Sequence, residues 1–342
     1  MTTYKGIRGV TIPTVDGDPG TIQLGEVWYN SSAKKLRVGK TAAAAWASGG
    51  NLNTSRDQTG SAGTQTAGLT FGGNTTGGTG LPAQISDTSE SYDGSAWAEG
   101  NDLTTARARI RGVGTQTAAV AIGGQKGIPA VDDAEEVESY DGTSWTEVND
   151  LNTARYQMAS LGTSTAAFCI GGQVVPSTYP TEVEEWNGTS WTEIADINDS
   201  GYGMGGAGTV TAGVIFGGDA RSGYASCELW NGTSWTEVNN INTGRIRLAG
   251  WGATSSTAMV AGGRSGSSPG GGWGEHEDTE EFDGTNWTEV ANMSTARAMA
   301  QGAGTSAAAF YSGGNVGPSG PHTAATEEWE GAPVAAGNIT SS

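Results

Sequence analysis

The stretch LNTARYQMASLGTSTAAFCIGGQVVPSTYPTEVEEWNGTSW, residues 151–191, is one copy of a unit that recurs along most of this chain. Two short apolar runs, Tyr156 to Leu161 and Ala166 to Ile170, flank a GTST turn and predict two strands. The second run stops at a Gly-Gly pair, and a loop leads to a third strand, Thr181 to Trp186. A tight Asn-Gly turn then starts a fourth strand at Ser190-Trp191. The unit is therefore four short antiparallel strands.

Six copies align on the Gly-Gly pair, 45 to 51 residues apart: Gly72-Gly73, Gly123-Gly124, Gly171-Gly172, Gly217-Gly218, Gly262-Gly263 and Gly313-Gly314. Five copies end on a tryptophan that stands five residues after another aromatic residue: Trp97, Trp145, Trp191, Trp235 and Trp287. Ten residues after four of these, and after Trp46, stands an arginine: Arg56, Arg107, Arg155, Arg245 and Arg297. The fourth copy has Gly201 in the arginine position.

The sixth copy lacks its last strand. Its third strand, Thr326 to Trp329, is not followed by a tryptophan, whereas Trp46 stands ten residues before Arg56 at the other end of the chain. Four-stranded repeats of this length predict an all-β, six-bladed β-propeller. We expect the strand around Trp46 to complete the last blade and close the ring, since closure leaves no unpaired sheet edge.

The Gly-Gly pair, the aromatic residue, the tryptophan and the arginine together resemble the kelch repeat, over Thr41 to about Trp329. The gap from aromatic to tryptophan is shorter than in kelch repeats. The chain also resembles the kelch-like proteins of marine tailed bacteriophages, which begin with segments like MTTYKGIRG…GEVWYNSSAKKLRV. This indicates an N-terminal arm with a β-hairpin (residues 1–40), a propeller (41–332) and a C-terminal tail (333–342).

The net charge of −19 is unevenly placed. Residues 1–40 have six basic and three acidic residues, a net charge of +3, so the remainder has −22. A ring this acidic repels phosphate, and no partner nucleic acid is expected. No run approaches the roughly 18 apolar residues of a membrane helix, so no membrane insertion is expected. Two cysteines, Cys169 and Cys227, in neighbouring blades do not make a disulfide scaffold.

The hairpin Glu26–Tyr29 and Leu36–Val38 lies outside the blade repeat. We interpret the positive arm as an anchor to other virion proteins, on the tail or the capsid; the alternative is that the hairpin covers the underside of the propeller. The candidate anchoring residues are Lys5, Arg8, Trp28, Tyr29, Lys34, Lys35 and Arg37.

The loops between the second and third strands vary in length, and variable loops on a rigid scaffold are where recognition usually occurs. Arg264 to Asp278 is the most suggestive, because Trp273 is an apolar side chain in a Gly-rich loop. The candidate ligand-binding residues of this loop face are Trp273, His276, His322, Tyr179, Arg221 and Tyr224.

The chemistry of an enzyme is not evident. His276 and His322 with Glu275, Glu277 and Asp278 match no metal-ligand spacing, and neither a catalytic Ser/His pair nor a cofactor motif is recognised. The repeated arginines could form an anion-binding ring, but their repetition favours hydrogen bonds to backbone carbonyls between blades. The closing tryptophans should pack between blades.

We therefore expect a non-enzymatic structural protein of a tailed phage, located in the virion after assembly in the host cytoplasm. Its loop face would contact a host surface glycan or protein, as in a tail fibre. One alternative is a capsid or tail decoration without a receptor, and another is a secreted carbohydrate-binding or carbohydrate-active kelch protein. A homo-oligomer is compatible with the sequence.

Overall fold

The computed structural model describes residues 12–23, 25–41, 43–75, 84–127, 132–265, 274–317, 321–332 and 334–338. The chain divides into two compact units: residues 1–45 with 331–342, and residues 46–330. The described residues contain seven four-stranded sheets, six of them built from the repeated segments.

Each of these six sheets runs from a first to a fourth antiparallel strand. The first strands are β5 (Gly60–Thr64), β9 (Arg111–Thr115), β13 (Ala159–Thr163), β17 (Gly205–Thr209), β21 (Ala249–Trp251) and β25 (Gln301–Gly304). The second strands are β6 (Ala67–Phe71), β10 (Ala118–Lys126), β14 (Ala166–Ile170), β18 (Ala212–Phe216), β22 (Met259–Ala261) and β26 (Ala308–Ser312).

The third strands are β7 (Ser89–Tyr92), β11 (Asp132–Tyr140), β15 (Val183–Trp186), β19 (Cys227–Trp230), β23 (Thr279–Phe282) and β27 (Thr326–Glu330). The fourth strands are β8 (Trp97–Glu99), β12 (Trp145–Glu147), β16 (Trp191–Glu193), β20 (Trp235–Val238), β24 (Trp287–Glu289) and, beside β27, β4 (Ala45–Ser48). The strand containing Trp46 is thus the fourth strand of the sheet β25-β26-β27-β4.

The turn between the third and fourth strands is longer than the Asp-Gly or Asn-Gly dipeptide suggests. Tyr140 pairs with Trp145, so four residues separate them. Asp141 Oδ1 accepts hydrogen bonds of 2.8 Å from the backbone N–H groups of Thr143 and Ser144. Only Gly142 of this turn has a positive φ, 93°. The connection is therefore a four-residue turn with one positive-φ glycine, held together by the aspartate side chain, and not a two-residue turn with two positive-φ residues.

The core lies between neighbouring sheets. Trp186 and Trp191 of the third repeated sheet pack into one cluster with Val120, Ile122 and Val137 of the second. The other closing tryptophans pack in the same way against the preceding sheet, in the clusters containing Trp235, Trp287, Trp145 and Trp97. Each tryptophan thus joins two sheets, as the repeat predicts.

The repeated arginines are buried and act inside a single sheet. Arg155 Nη1 donates to the carbonyl oxygens of Gly171 (3.3 Å) and Glu182 (3.2 Å), and its Nη2 donates to Glu184 Oε1 (2.6 Å). The sequence predicted bonds to carbonyls but placed them between blades and missed the glutamate. Both carbonyls belong to the repeat that begins at the arginine, because the arginine side chain points toward the sheet that follows it and not toward the preceding one.

We call this pair the arginine–glutamate lock. It recurs with Nη2–Oε1 distances between 2.5 and 2.9 Å as Arg56–Glu90, Arg107–Glu138, Arg155–Glu184, Arg221–Glu228, Arg245–Glu280 and Arg297–Glu327. The same glutamate accepts backbone N–H groups of the linker, such as that of Asn152 at 2.7 Å from Glu184 Oε2. The lock therefore fixes each linker to the third strand that follows it.

Arg221 corrects the sequence interpretation. It was expected on the ligand-binding loop face, but it is only 4% exposed and donates to Glu228 Oε1 at 2.9 Å. Gly201 stands where the other linkers have arginine, and a Cβ there would lie 2.5 Å from Arg221 Cγ. The fourth sheet thus receives its lock arginine from the loop, and the glycine leaves room for it.

The first compact unit contains the seventh sheet, in the order β1 (Thr14–Val15), β2 (Val27–Asn30), β3 (Lys35–Thr41) and β28 (Val334–Asn338). The predicted hairpin is β2 and β3, which pair antiparallel. The segment expected to be a C-terminal tail instead supplies β28, because the backbone of β3 offers a free edge to it.

Asp18 organises the described part of the predicted arm. Its carboxylate accepts hydrogen bonds from Trp28 Nε1 (3.1 Å) and Asn30 Nδ2 (2.8 Å) and pairs with Arg37 Nη2 (2.6 Å). The Arg37 guanidinium and the Asn30 amide hold the pKa of Asp18 at about 2. Trp28 is fully buried, and Arg37 is paired with Asp18. Both side chains therefore stabilise the first compact unit instead of being exposed for contact with a partner protein.

Of the other candidate anchoring residues, Tyr29, Lys34 and Lys35 are exposed. Lys5 and Arg8 lie outside the described residues.

Candidate functional site at the channel mouth

The six first strands line a channel in the second unit. Each contacts the next in sequence, and β25 contacts β5. A cavity of about 120 Å3 lies among small residues from all six strands, and a cavity of about 40 Å3 shares several of these residues. A third cavity, of about 20 Å3, adjoins them through Arg111 and Gln301. The small first-strand residues are therefore explained by close packing around a channel.

Six backbone hydrogen bonds close a ring at one end of this channel. Met299 O accepts from Gln58 N, Gln58 O from Arg109 N, and so on round the cycle, with N···O distances of 2.7 to 3.1 Å. We call these residues the mouth ring: Gln58, Arg109, Gln157, Gly203, Arg247 and Met299. Each follows a residue that bridges to the start of its own loop, as Tyr156 bridges to Gln173. The mouth ring thus lies on the side of the variable loops.

All six mouth-ring residues have positive φ, between 54° and 66°. Only glycine adopts this conformation without cost, and other residues there lose on the order of 1 kcal/mol. Gly203 is the sole glycine of the ring. The other five positions keep long side chains in a backbone conformation that glycine would satisfy better.

Three arginines line the 20 Å3 cavity, which we call the mouth cavity: Arg109, Arg111 and Arg247. Arg111 is buried and donates to the carbonyl oxygens of Met158 (Nε, 2.6 Å) and Met204 (Nη2, 3.1 Å), so it reaches from the second sheet to the third and fourth. Burial lowers the pKa of Arg111 to about 10. It remains a cation at neutral pH.

Arg247 faces other cations. Burial, together with repulsion from Arg264 and Arg109, lowers its pKa to about 10. Its Nε is buried and has no hydrogen-bond partner among the described residues. Arg109 donates from Nε to Gln58 Oε1 at 2.7 Å, and its guanidinium lies 5.1 Å from the centre of the Tyr156 ring. The mouth cavity is therefore strongly cationic although the chain is acidic.

Two tyrosines form an aromatic pair beside these arginines. The Tyr179 and Tyr202 rings are stacked, with centroids 5.0 Å apart and an interplanar angle of 13°. The Tyr202 hydroxyl donates to Asp219 Oδ2 at 2.6 Å, and burial together with this bond raises its pKa. Tyr202 immediately precedes Gly203 of the mouth ring. The structure thus brings Tyr179, a predicted loop-face residue, together with a tyrosine that the sequence analysis did not select.

The predicted histidines are each engaged with a different carboxylate. His276 Nδ1 donates to Asp278 Oδ2 (2.9 Å), and its Nε2 shares a hydrogen bond of 3.0 Å with Ser265 Oγ. His322 is half-buried, and its Nε2 lies 3.5 Å from Asp57 Oδ2. Burial raises the pKa of Asp57, while His322 opposes this shift.

The histidines do not share a site with each other, and the described residues contain no group of three potential metal ligands. The sequence analysis recognised no catalytic Ser/His pair, and the structure brings Ser265 within hydrogen-bond distance of His276, which stands eleven residues later in the chain.

The remaining loop candidates do not converge. Tyr224 is half-buried at the end of a 3-10 turn, Ser222–Tyr224, where its carbonyl accepts from Arg245 N at 2.9 Å. Trp273 lies outside the described residues. The two cysteines are free and buried, and burial raises the pKa of each thiol to about 12.

Sequence reasoning missed Arg109, Arg111, Arg247 and Tyr202, although a signal was present. The lock arginine is followed two residues later by Gln58, Arg109, Gln157, Arg247 or Met299, and the fourth linker has Gly203 at this position. The residue at this position therefore differs between copies, although the arginine two residues before it is the same in five of them. The glutamates of the locks had a clearer signal, since five of them stand seven residues before a closing tryptophan.

Among the described residues, no helix has the length and apolar character needed to cross a membrane.

No protein-family model matches this sequence, and no curated protein sequence matches it. A solved structure entitled "Structure of YjhT" is similar to it, with a TM-score of 0.66 over 80% of this chain and 95% of that chain. The sequences are 10% identical, so the likeness shows the fold alone. YjhT is a kelch-like β-propeller. The chain therefore has an all-β, propeller-like fold built from four-stranded, mostly antiparallel sheets.

Proposed function

We propose that the chain is a non-enzymatic, six-bladed kelch-like propeller that a tailed phage displays on its virion and that binds a host-surface ligand at the channel mouth. The observation that carries the binding role is the departure from the repeat at the mouth ring. There, side chains that differ from copy to copy converge on one cavity, whereas the residues of the locks are uniform. A rigid scaffold with variable residues at one end is typical of a recognition surface.

Six blades and a closed ring are part of this proposal. They are supported by the cyclic hydrogen bonds of the mouth ring and by the contacts of successive first strands from β5 round to β25 and back. The position of β4 beside β27 supports closure by the strand around Trp46. In this arrangement, the seventh sheet belongs to the arm and not to the ring.

Display on a virion rests on the resemblance of the first forty residues and of the blade composition to phage proteins. The first compact unit, with exposed Tyr29, Lys34 and Lys35, would contact other virion proteins. Immunogold electron microscopy of purified particles tests this, beside a variant that lacks residues 1–40 and 333–342. Labelling at the tail that is lost in the variant would support an adsorption role. Labelling over the capsid would favour a decoration protein, and absence from particles would overturn the virion assignment.

A second candidate function, ester hydrolysis, is favoured by one observation. Ser265, His276 and Asp278 are hydrogen-bonded in the order of a nucleophile, a base and an orienting carboxylate. The Ser265 N–H already donates to Gly274 O at 2.9 Å, so it does not serve as an oxyanion donor. Labelling by a fluorophosphonate that is lost in Ser265→Ala would support hydrolysis, and equal absence of labelling in both proteins would reject it.

A further inference from the structure

We propose that the mouth cavity binds the carboxylate of an acidic sugar, a uronic acid in an otherwise neutral glycan. This inference rests on the proposed binding function and names the class of its ligand. Arg109, Arg111 and Arg247 line the cavity together with the amide side chains of Gln58 and Gln157. None of the residues that line it is acidic. Guanidinium and amide groups are the donors that recognise a carboxylate.

The cavity has no carboxylate in its lining, and its cations are only partly compensated by carboxylates outside it, Asp219 for Arg247 and Asp133 for Arg109. Arg111 donates to the carbonyl oxygens of Met158 and Met204, and burial lowers its pKa. Arg247 has like charges as its strongest charged neighbours, Arg264 and Arg109. Taking a cation out of water without full compensation of its charge is unfavourable. An anion in the cavity would offset this cost and would accept from the buried Nε of Arg247.

The backbone of the mouth ring supports a role for these side chains beyond folding. Gly203 shows that a glycine closes the hydrogen-bonded ring without a side chain. Arg109 and Arg247 occupy equivalent positions with φ values of 57° and 55°, which disfavour arginine. Strained residues of this kind cluster at binding sites, where the strain is offset by what the side chain does.

The size of the cavity limits the anion. About 20 Å3 admits a group close to the size of one water molecule. A carboxylate oxygen fits this volume, while the remainder of the ligand must lie outside it. A ligand with many negative charges would be repelled by a protein whose net charge is −19. A single carboxylate on a neutral molecule meets both conditions.

The neighbouring aromatic pair favours a sugar as that molecule. The half-buried Tyr179 and Tyr202 present stacked rings next to the mouth ring, and flat aromatic faces offer apolar area to the C–H face of a pyranose. Gln157 Oε1 has no hydrogen-bond donor among the described residues. It is therefore available to accept from a sugar hydroxyl.

The test is a calorimetric titration of the full chain with sodium glucuronate, methyl glucoside and sodium acetate. We expect glucuronate to bind and methyl glucoside not to bind, with acetate at least tenfold weaker than glucuronate. Arg247→Gly, which leaves the ring as it is at Gly203, should weaken glucuronate binding tenfold or more, as expected for loss of a charged hydrogen bond. Lys126→Gln is the matched control, because it removes one positive charge from a residue outside the cavity, and it should leave binding unchanged.

Equal binding of methyl glucoside, or unchanged glucuronate binding in Arg247→Gly, would overturn the carboxylate assignment. Equal binding of acetate would overturn the sugar assignment. A thermal unfolding midpoint of Arg247→Gly close to that of the natural sequence establishes that the variant is folded. Adsorption of particles that carry Arg247→Gly to host cells is measured separately. It distinguishes failure of the glucuronate-binding inference from failure of the proposed host-contact role. Glucuronate binding without an adsorption defect would leave this inference standing and reject the host-contact role, whereas an adsorption defect without glucuronate binding would do the reverse.

Discussion

The arginines of the locks and the arginines of the mouth cavity are the same residue type in opposite situations. Arg155 recurs with the repeat, and its charge is matched by Glu184 at 2.6 Å. Arg247 stands at a position that is arginine in only two of the six copies, and its strongest charged neighbours are Arg264 and Arg109. Arg155 is fully buried beside its counter-charge, whereas Arg247 is half-buried, and Asp219 compensates its charge less than Arg264 and Arg109 oppose it. The difference teaches that repetition in this protein marks structure and that departure from repetition marks the place where a ligand is expected.

Breaking a lock should have the largest effect on stability. Arg155→Met leaves Glu184 buried without its cation, and loss of one partner of a buried ion pair costs about 3–5 kcal/mol. The free energy of unfolding from urea titrations, followed by tryptophan fluorescence, measures this cost. The double variant Arg155→Met/Glu184→Gln should recover part of the loss, since the glutamine still accepts from the linker. A loss below about 1 kcal/mol in Arg155→Met would show that the lock is not structural.

The fourth sheet allows the lock to be moved. Arg221→Ala should cost about 3 kcal/mol, because Glu228 loses its cation. Gly201→Arg alone should also destabilise the protein, since a Cβ at 201 meets Arg221 Cγ at 2.5 Å. The double variant Gly201→Arg/Arg221→Ala should be more stable than either single variant, because it restores the pattern of the other five linkers. Urea midpoints of the four proteins test this, and additive losses would refute the replacement.

Substitutions in the mouth ring should change stability less than substitutions in the locks. Arg247→Gly should change the free energy of unfolding by less than about 1 kcal/mol, because relief of positive φ offsets the flexibility of glycine. Gly203→Ala should cost about 1 kcal/mol, since it puts a side chain at a φ of 66°. The comparison requires only urea denaturation of both variants. A large loss of unfolding free energy in Arg247→Gly would show that Arg247 has a structural role, like the arginines of the locks.

The exposed pair Arg37–Asp18 should have the smallest effect. The folded pKa of Asp18, about 2, lies below its ordinary value of 3.8. Its contribution to stability is therefore complete above pH 4 and is lost as the pH falls from about 4 to about 2. The indole N–H signal of Trp28, which donates to Asp18, should shift over this range in NMR spectra. Asp18→Asn should abolish the shift, and a shift that persists in this variant would assign it to another carboxylate.

Much of the fold could be predicted because the same strand pattern occurs in six aligned copies, so that each copy supports the interpretation of the others. The Gly-Gly pairs, the closing tryptophans and the second strands all lie where the spacing placed them, and Trp46 lies in the fourth strand of the sheet that contains Trp329. The strand β28 could not be predicted, since Val334–Asn338 has no copy elsewhere and its partner β3 lies almost three hundred residues away in the chain.

The candidate site was predicted less well. The variable loops directed attention to Arg221, His276 and His322, yet Arg221 is buried, and each of the three has a carboxylate within the chain. The cavity instead comes from Arg109, Arg111 and Arg247, which stand in or beside the linkers. Their convergence depends on residues from separate copies meeting around a channel, and spacing within one copy does not contain that information.

The sequence by itself determined the four-stranded unit, its number of copies and the residues that pack between copies, because these depend on short-range alternation and on a period that repeats. Tertiary structure alone decided which arginines are neutralised and which are not. The charge state of a site depends on what surrounds it in three dimensions. Arg221 pairs with Glu228 of its own sheet, whereas Arg247 is repelled by Arg264 of its own repeat and by Arg109 of the second repeat.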